Sequence, residues 1–432
     1  MDAMSCRVRS VMLFRSAALL SAATMFVLNA SAARHKQAED SPAPQTSQPP
    51  SYTISAATLG FAPPGEIYFE ARYSLVSLDF LDEDRLLFTF RVPGLFHRDP
   101  SGTADEMERH VRAVVVHVPD GVVQAEALWT LHDYGRYVFM LEGGKFALRD
   151  RDTLSLGDGS LALKPWLKFP GPLNYVELDP SRQYVVAEST EAAGSHAKSG
   201  DVQSPPTAQT LINTDAAPSS RKQDTILRIL RSPSGEVMLV SHVRAAVHVP
   251  FNAEGYLETL RSLGLSWIIQ FDPFTGGATR AGVVDSVCAP RLDFVSPKEY
   301  AASVCASSGG PWFVVMTLDG RLLWQRQDSA TNIWPLLVVS KNGTRLIRET
   351  VQATHAVNAT APLSPDDLIR QNVTVLDAAT GKEFLRTQAS PIYDAGGNVA
   401  LSPSGRRVAI LREGEIQIFD LPEAPPLPAE KP

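Results

Sequence analysis

Seven times along this chain a β-rich run leads into a polar turn, and no other feature constrains the fold as strongly. The runs are Val114–Gln124, Lys145–Leu156, Ile226–Val237, Trp267–Ala278, Trp312–Leu323, Asn372–Phe384 and Glu415–Pro422. Each alternates apolar and polar residues, at least in part, before meeting Asp, Pro, Gly or Ser. A period of two marks a strand with one face toward a core and the other away from it. A unit this small cannot bury its apolar face alone, so its repetition implies a radial or stacked β-array.

A second element is interleaved with the first. β-Hairpins with short polar turns are expected at Ser77–Phe90, Trp129–Leu141, Val176–Glu188, Arg291–Val304, Leu337–Glu349 and Val399–Glu413. A degenerate copy falls in Val243–Leu260, around Pro250-Phe251-Asn252. Asp-Pro-Ser, Pro-Ser-Gly and Lys-Asn-Gly sit where the chain must reverse. Four strands per unit and seven units predict an all-β fold: a single seven-bladed β-propeller of four-stranded antiparallel blades over 52–421. In this reading the hairpin supplies strands b and c, the recurring run strand d, and the chain after its turn strand a of the next blade. Six or eight blades, or a β-sandwich array, stay open. So does ring closure, by Glu415–Pro422 alone or with Tyr52–Phe61 joining it. Long helical periodicity is missing; Ser364–Arg370 reads as one short turn.

The phrases Val373–Lys382 (VTVLDAATGK) and Leu401–Asp420 (LSPSGRRVAILREGEIQIFD) resemble blades of exported bacterial propellers of the YVTN or WD-repeat type. The resemblance covers roughly 65–421 and is best in the last two blades, without the Trp-Asp and Gly-His signatures of true WD repeats. That family hosts scaffolds, binding proteins and some enzymes, so it implies a fold and leaves the reaction unspecified.

Residues 1–32 read as a secretory signal peptide, with Arg7, Arg9 and Arg15 before the apolar run Ala17–Leu28 and a small-residue cleavage pattern at Ala30-Ser31-Ala32. An uncleaved anchor is the alternative. No later stretch is apolar enough to suggest a transmembrane segment in the mature chain. Net charge is −7, and loss of three Arg and one Asp with the signal leaves 37 basic against 46 acidic residues. That balance argues against nucleic acid as a partner. Residues 33–51 (ARHKQAEDSPAPQTSQPPS), 188–224 and the tail 422–432 have the composition of a disordered linker, an insertion within the fold and a disordered end.

Of three cysteines, Cys6 leaves with the signal, and Cys288 and Cys305 remain. They flank the hairpin Arg291–Val304. If Val295 faces Tyr300 across its turn, the cysteines lie nearly opposite at its open end, and a disulfide is expected in an oxidising compartment.

The catalytic residues are unknown, and no cofactor or metal is expected. His242 and His248 have the even spacing that would put both on one side of a continuous strand, but no third zinc ligand accompanies them. His110 and His117 have odd spacing. The acidic runs Asp79–Asp84 and Asp150–Asp152 lack the pattern of a calcium loop and read as turn chemistry. Nucleophile-elbow, phosphate-loop and haem-attachment motifs do not occur. Trp166 and Trp334, each beside a Pro and before a hairpin, lead toward a propeller face, where exposed aromatics could bind peptide or glycan; packing between blades is the favoured use of such residues. Asn342, Asn358 and Asn372 begin glycosylation sequons, relevant only in a eukaryotic host.

These observations favour an exported, periplasmic or extracellular, non-catalytic binding or scaffold protein whose partner is a protein or cell-envelope component. The rival is a hydrolase, lactonase or lyase with its site at the central channel. His, Arg and carboxylates converging on the channel would favour the enzyme; a lining of Ser, Val and Ala would favour the binder.

Overall fold

A computed structural model describes residues 48–63, 76–92, 97–98, 107–132, 135–192, 223–243, 247–356, 363–393 and 396–423. The stretches expected to be a signal peptide (1–32), a linker (33–51), an insertion (188–224) and a tail (422–432) lie wholly or mostly outside the described residues. All described residues belong to the compact unit Asp40–Pro432, which is a seven-bladed β-propeller built from seven antiparallel sheets. From the channel outward, blade 1 is Val76–Phe80, Arg85–Arg91, Met107–His117 and Val123–Leu131. Blade 2 is Val138–Met140, Phe146–Asp150, Thr153–Gly157 and Lys164–Lys168. Blade 3 is Leu173–Leu178, Tyr184–Ala192, Gln223–Arg231 and Glu236–Val243. Blade 4 has only Gly255–Arg261, Ser266–Pro273 and Thr279–Asp285 as full strands; its inner strand shrinks to a bridge between Phe251 and Tyr256. Blade 5 is Arg291–Ser296, Glu299–Val304, Trp312–Thr317 and Leu322–Gln327. Blade 6 is Asn332–Val339, Arg345–Ala353, Leu368–Asp377 and Glu383–Ala389. Blade 7 is Val399–Leu401, Arg407–Arg412, Glu415–Asp420 and, as its rim strand, the N-terminal Tyr52–Ser55 paired with Glu415–Ile418.

Three sequence expectations change. The predicted blade phase is off by one strand: five of the expected hairpins hold the innermost and second strands, and five of the recurring runs hold the third strand and its turn to the rim strand of the same blade; Lys145–Leu156 spans the second and third strands of blade 2, and Glu415–Pro422 holds the third strand of blade 7, whose rim strand is N-terminal. A hairpin of either kind has the same alternation and the same turn residues, so the pattern fixes pairing but not position from the axis. Trp129–Leu141 is no hairpin: it carries the rim strand of blade 1 into the inner strand of blade 2. The degenerate copy is the reduced inner edge of blade 4. The strands flanking the insertion run on to Ala192 and restart at Gln223, in register over nine pairs, so both ends of the expected stretch belong to blade 3.

The hairpin turns repeat because their side chains replace lost backbone partners. Asp179 Oδ1 accepts from the Tyr184 N–H at 2.7 Å, Ser340 Oγ from Arg345 at 3.0 Å and Ser402 Oγ from Arg407 at 3.1 Å. The same offset of five residues closes three blades, each bond contributing about 1 kcal/mol net. Between blades, the alternating apolar residues meet in separate clusters. Leu86, Phe88 and Ile418 meet between blades 1 and 7, for example, and Ile269, Phe271 and Phe294 between blades 4 and 5.

Candidate functional site

The inner strands of the blades line a central channel with a cavity of about 270 Å³. Val76, Leu78, Phe251, Leu336 and Val338 form part of its wall. So do five carboxylates, Asp79, Glu177, Asp179, Asp293 and Glu349, together with Arg136 and Arg182. By the criterion drawn from the sequence, this lining of carboxylates and arginines counts toward a channel enzyme and against the plain Ser, Val and Ala surface of a binder. Burial raises the Asp79 carboxyl above its ordinary range, opposed by Arg136 and a hydrogen bond from Ser77. Burial likewise pushes Glu349 up to about 7, with only the Gln371 amide, at 2.7 Å, lowering it.

The densest polar cluster joins three consecutive blades. Glu177 is near the end of the inner strand of blade 3, and Asp293 lies within that of blade 5. His248 sits between them, in the segment that replaces the missing inner strand of blade 4. Its Nδ1 is 2.8 Å from Glu177 Oε2 and 3.0 Å from the Tyr175 hydroxyl, which itself donates to Glu177 Oε2 at 2.6 Å. Its Nε2 is 2.6 Å from the Leu292 carbonyl and 3.2 Å from Asp293 Oδ1. Arg291 approaches the other oxygen of Asp293 at 3.5 Å. Glu188, the cross-strand partner of Tyr175, accepts the Val247 N–H at 3.0 and 3.2 Å.

Burial alone would lower the His248 pKa. Hydrogen bonds to Asp293 and Glu177, with their charges, outweigh it and hold the ring up at about 10. The ring is thus an imidazolium at neutral pH, donating from both nitrogens. Burial raises Glu188 to about 7, against the pull of the Val247 N–H. Glu177, His248 and Asp293 offer ligand atoms within 4.8 Å of one another. A metal would have to displace a proton from the ring, and the two carboxylates lie against opposite edges of it, so the geometry fits a charged clamp better than a metal centre.

The sequence candidates are placed as follows. His242 and His248 do not share a strand: His242 is on the rim strand of blade 3, and His248 is in the segment before the reduced inner edge of blade 4, between Glu177 and Asp293. The even-spacing argument fails because the chain leaves one blade and enters the next between them. His110 and His117 stay apart on one strand, beside Glu108 and Asp120 respectively. Asp82 accepts from the Asp84 N–H at 3.0 Å within its turn, whereas Asp79 reaches the channel. Cys288 and Cys305 pair as a disulfide with Cα atoms 5.6 Å apart, although Tyr300 faces Phe294 rather than Val295. Trp166 does not stand free on a face. It is half-buried on the rim strand of blade 2, its indole N–H donating to the Pro233 carbonyl of blade 3 at 2.8 Å. Trp324 makes the same bond to Ala378 of blade 6 at 2.7 Å, so this is an inter-blade fastening used twice. Trp334 is on the inner strand of blade 6; its side chain lies outside the described residues.

Tyr175, Glu177, Glu188, Asp293 and Glu349 were not singled out from sequence. One signal was available: Leu-Asp-Phe recurs at Leu78–Phe80 and Leu292–Phe294. An Asp inside a strand flanked by core residues needs a reason other than folding.

No protein-family model matches the sequence, and no curated protein sequence matches it. Among solved structures, the acylaminoacyl peptidase of Pyrococcus horikoshii is similar, with TM-score 0.47 and 9% identity over 82% of this chain and 52% of that one. A chain of a mitotic checkpoint complex gives TM-score 0.42 and 10% identity, covering 93% of this chain and 99% of that one. Kuenenia stuttgartiensis hydrazine synthase gives 0.33 and 11%, over 78% and 73%. This chain spans about half the length of the peptidase. Likenesses this remote carry no argument about function. Among the described residues, no helix is long and apolar enough to cross a membrane.

Proposed function

We propose that this protein is an exported, non-catalytic propeller of the YVTN or WD-repeat-like kind, which binds a protein or cell-envelope component through the channel face of the disc. The carrying observation is that the charged groups of the Glu177–His248–Asp293 cluster are spent on one another. His248 has a carboxylate or carbonyl at each nitrogen, so its ring offers no lone pair as a base. The disulfide pair and the signal-like residues 1–32 support export.

The test is site-specific photocrosslinking in the native host, from Gln183 and Arg291 at the channel mouths and from Leu128 on the rim as control. A discrete adduct from a mouth position and none from Leu128 is expected. Adducts only from the rim, or from nowhere, would overturn the reading.

A second reading, a channel hydrolase, lactonase or lyase, is favoured by Glu188 and Glu349, whose carboxyls are held at about 7, where general acid–base groups work. Turnover of an ester, lactone or glycan that is lost in Glu349→Gln, with folding intact, would establish it.

A further inference from the structure

Where the inner strand of blade 4 is reduced, a second cavity of about 390 Å³ opens between blades 3, 4 and 5, within the size range of small-molecule sites. Leu227, Leu239 and Val243 wall it from blade 3, Val249 and Tyr256 from blade 4, and Leu292 from blade 5. The same end of blade 4 exposes Val247, Leu260, Leu263 and Leu265, and Leu263 is 92% accessible. In this apolar setting stands Glu258, half-buried on the cavity wall and without a hydrogen bond or ion pair among the described residues. Its cross-strand neighbour Gln270 turns instead to Asp272. The two cationic side chains on the wall, His248 and Arg291, are already committed to Glu177 and Asp293.

An ionised carboxylate without a partner in apolar surroundings is costly, and the charge of Asp272 adds to that cost. A cation brought by a ligand would remove it, and a charge-assisted hydrogen bond from an ammonium is among the stronger contacts available there. We propose that this cavity is a binding site for a small alkyl- or arylalkylammonium, its apolar body against Leu227, Leu239 and Tyr256 and its ammonium on Glu258. Burial followed by the Asp272 charge holds the Glu258 carboxyl above its ordinary range, as expected of a group that lacks a counter-ion. A ligand ending in a carboxylate would meet repulsion at the same point. The proposal goes beyond the channel-face reading and does not depend on it.

Titration calorimetry of the full mature chain with hexylamine, hexanol and hexanoate tests it. Hexylamine should bind about tenfold more tightly than hexanol, the effect of one charge-assisted bond, and hexanoate more weakly than either. Glu258→Gln should bring hexylamine to the level of hexanol and leave hexanol unchanged. Val243→Trp, which fills the cavity from an edge strand, should abolish both, with a melting curve to verify folding. Equal binding of hexylamine and hexanol by the native chain, an unchanged ratio in Glu258→Gln, or no saturable binding of hexylamine would overturn it.

Discussion

Blades 6 and 4 are built from the same repeat and have opposite characters. Blade 6 has four full strands, and its Arg345 is almost wholly enclosed. The guanidinium donates to Asp377 at 2.8 Å and to the Pro422 carbonyl at 3.1 Å, and lies 3.9 Å over the Phe384 ring. Among the described residues, blade 4 has a bridge in place of a strand, exposed apolar residues and a carboxylate with no hydrogen bond or ion pair. Each blade of a propeller is held mainly by its two neighbours, so one member can lose a strand while the ring persists. The lapse frees backbone and side chains for contacts other than folding, and both the His248 cluster and the second cavity lie there.

The largest expected effect breaks the stronger side of this comparison. Arg345→Ala leaves Asp377 buried without its cation and should cost roughly 3–5 kcal/mol in denaturant unfolding. Glu258→Gln in blade 4 should not destabilise and should raise stability slightly at neutral pH, since no interaction is lost and an uncompensated charge is removed. Equal losses would mean that the blades do not differ as described.

The next effect concerns the disulfide at the blade 4–5 boundary. Cys288→Ser, or reduction of the native chain, should lower stability by roughly 3 kcal/mol in the chain-entropy account of a closed loop this long. Mass spectrometry of a non-reduced digest should first show Cys288 joined to Cys305.

Acid–base titration separates the regions by pH window. A carboxyl whose folded pKa is raised favours the folded state when protonated. Glu349 therefore contributes stability below 4.5 that is lost as pH rises to about 7. His248, also raised, contributes stability below 6.5 that is lost as pH rises to about 10. Glu349→Gln should raise stability above pH 7 by on the order of 3 kcal/mol and make the lower window shallower, where Glu188 also titrates, leaving the upper one. His248→Gln should flatten the upper window alone.

A smaller effect lies across the channel mouth. Lys341 in the inner turn of blade 6 meets Glu142 in that of blade 2 at 2.7 Å, and both are partly exposed. Lys341→Ala should cost at most about 1 kcal/mol, less in high salt.

The fold was largely legible because its signals are local. The turn at Ser402–Arg407 and the alternation of Glu415–Asp420 are complete within a few residues. Blade phase was not, because nothing in Trp129–Leu141 distinguishes a hairpin turn from a step between blades. The site was least legible. Glu177, His248 and Asp293 come from three blades and meet only when the ring is assembled, so no spacing along the chain encodes them. Trp166 takes the favoured inter-blade role, its indole N–H on the Pro233 carbonyl, though position beside a proline does not say which surface the next blade will cover.

Closure of the ring by Tyr52–Ser55 has a kinetic consequence. The pairing of Tyr52 with Ile418 joins the two ends of the propeller sequence, so the disc cannot be completed until the final blade has been made. Closing so long a loop gives a high contact order and slow folding. Until then the third strand of blade 7 presents an open edge, and the strand from a second copy can satisfy it as well as the chain's own. Successful folding is therefore a race between intramolecular clasping and exchange of that strand between molecules, and dilution favours the clasp.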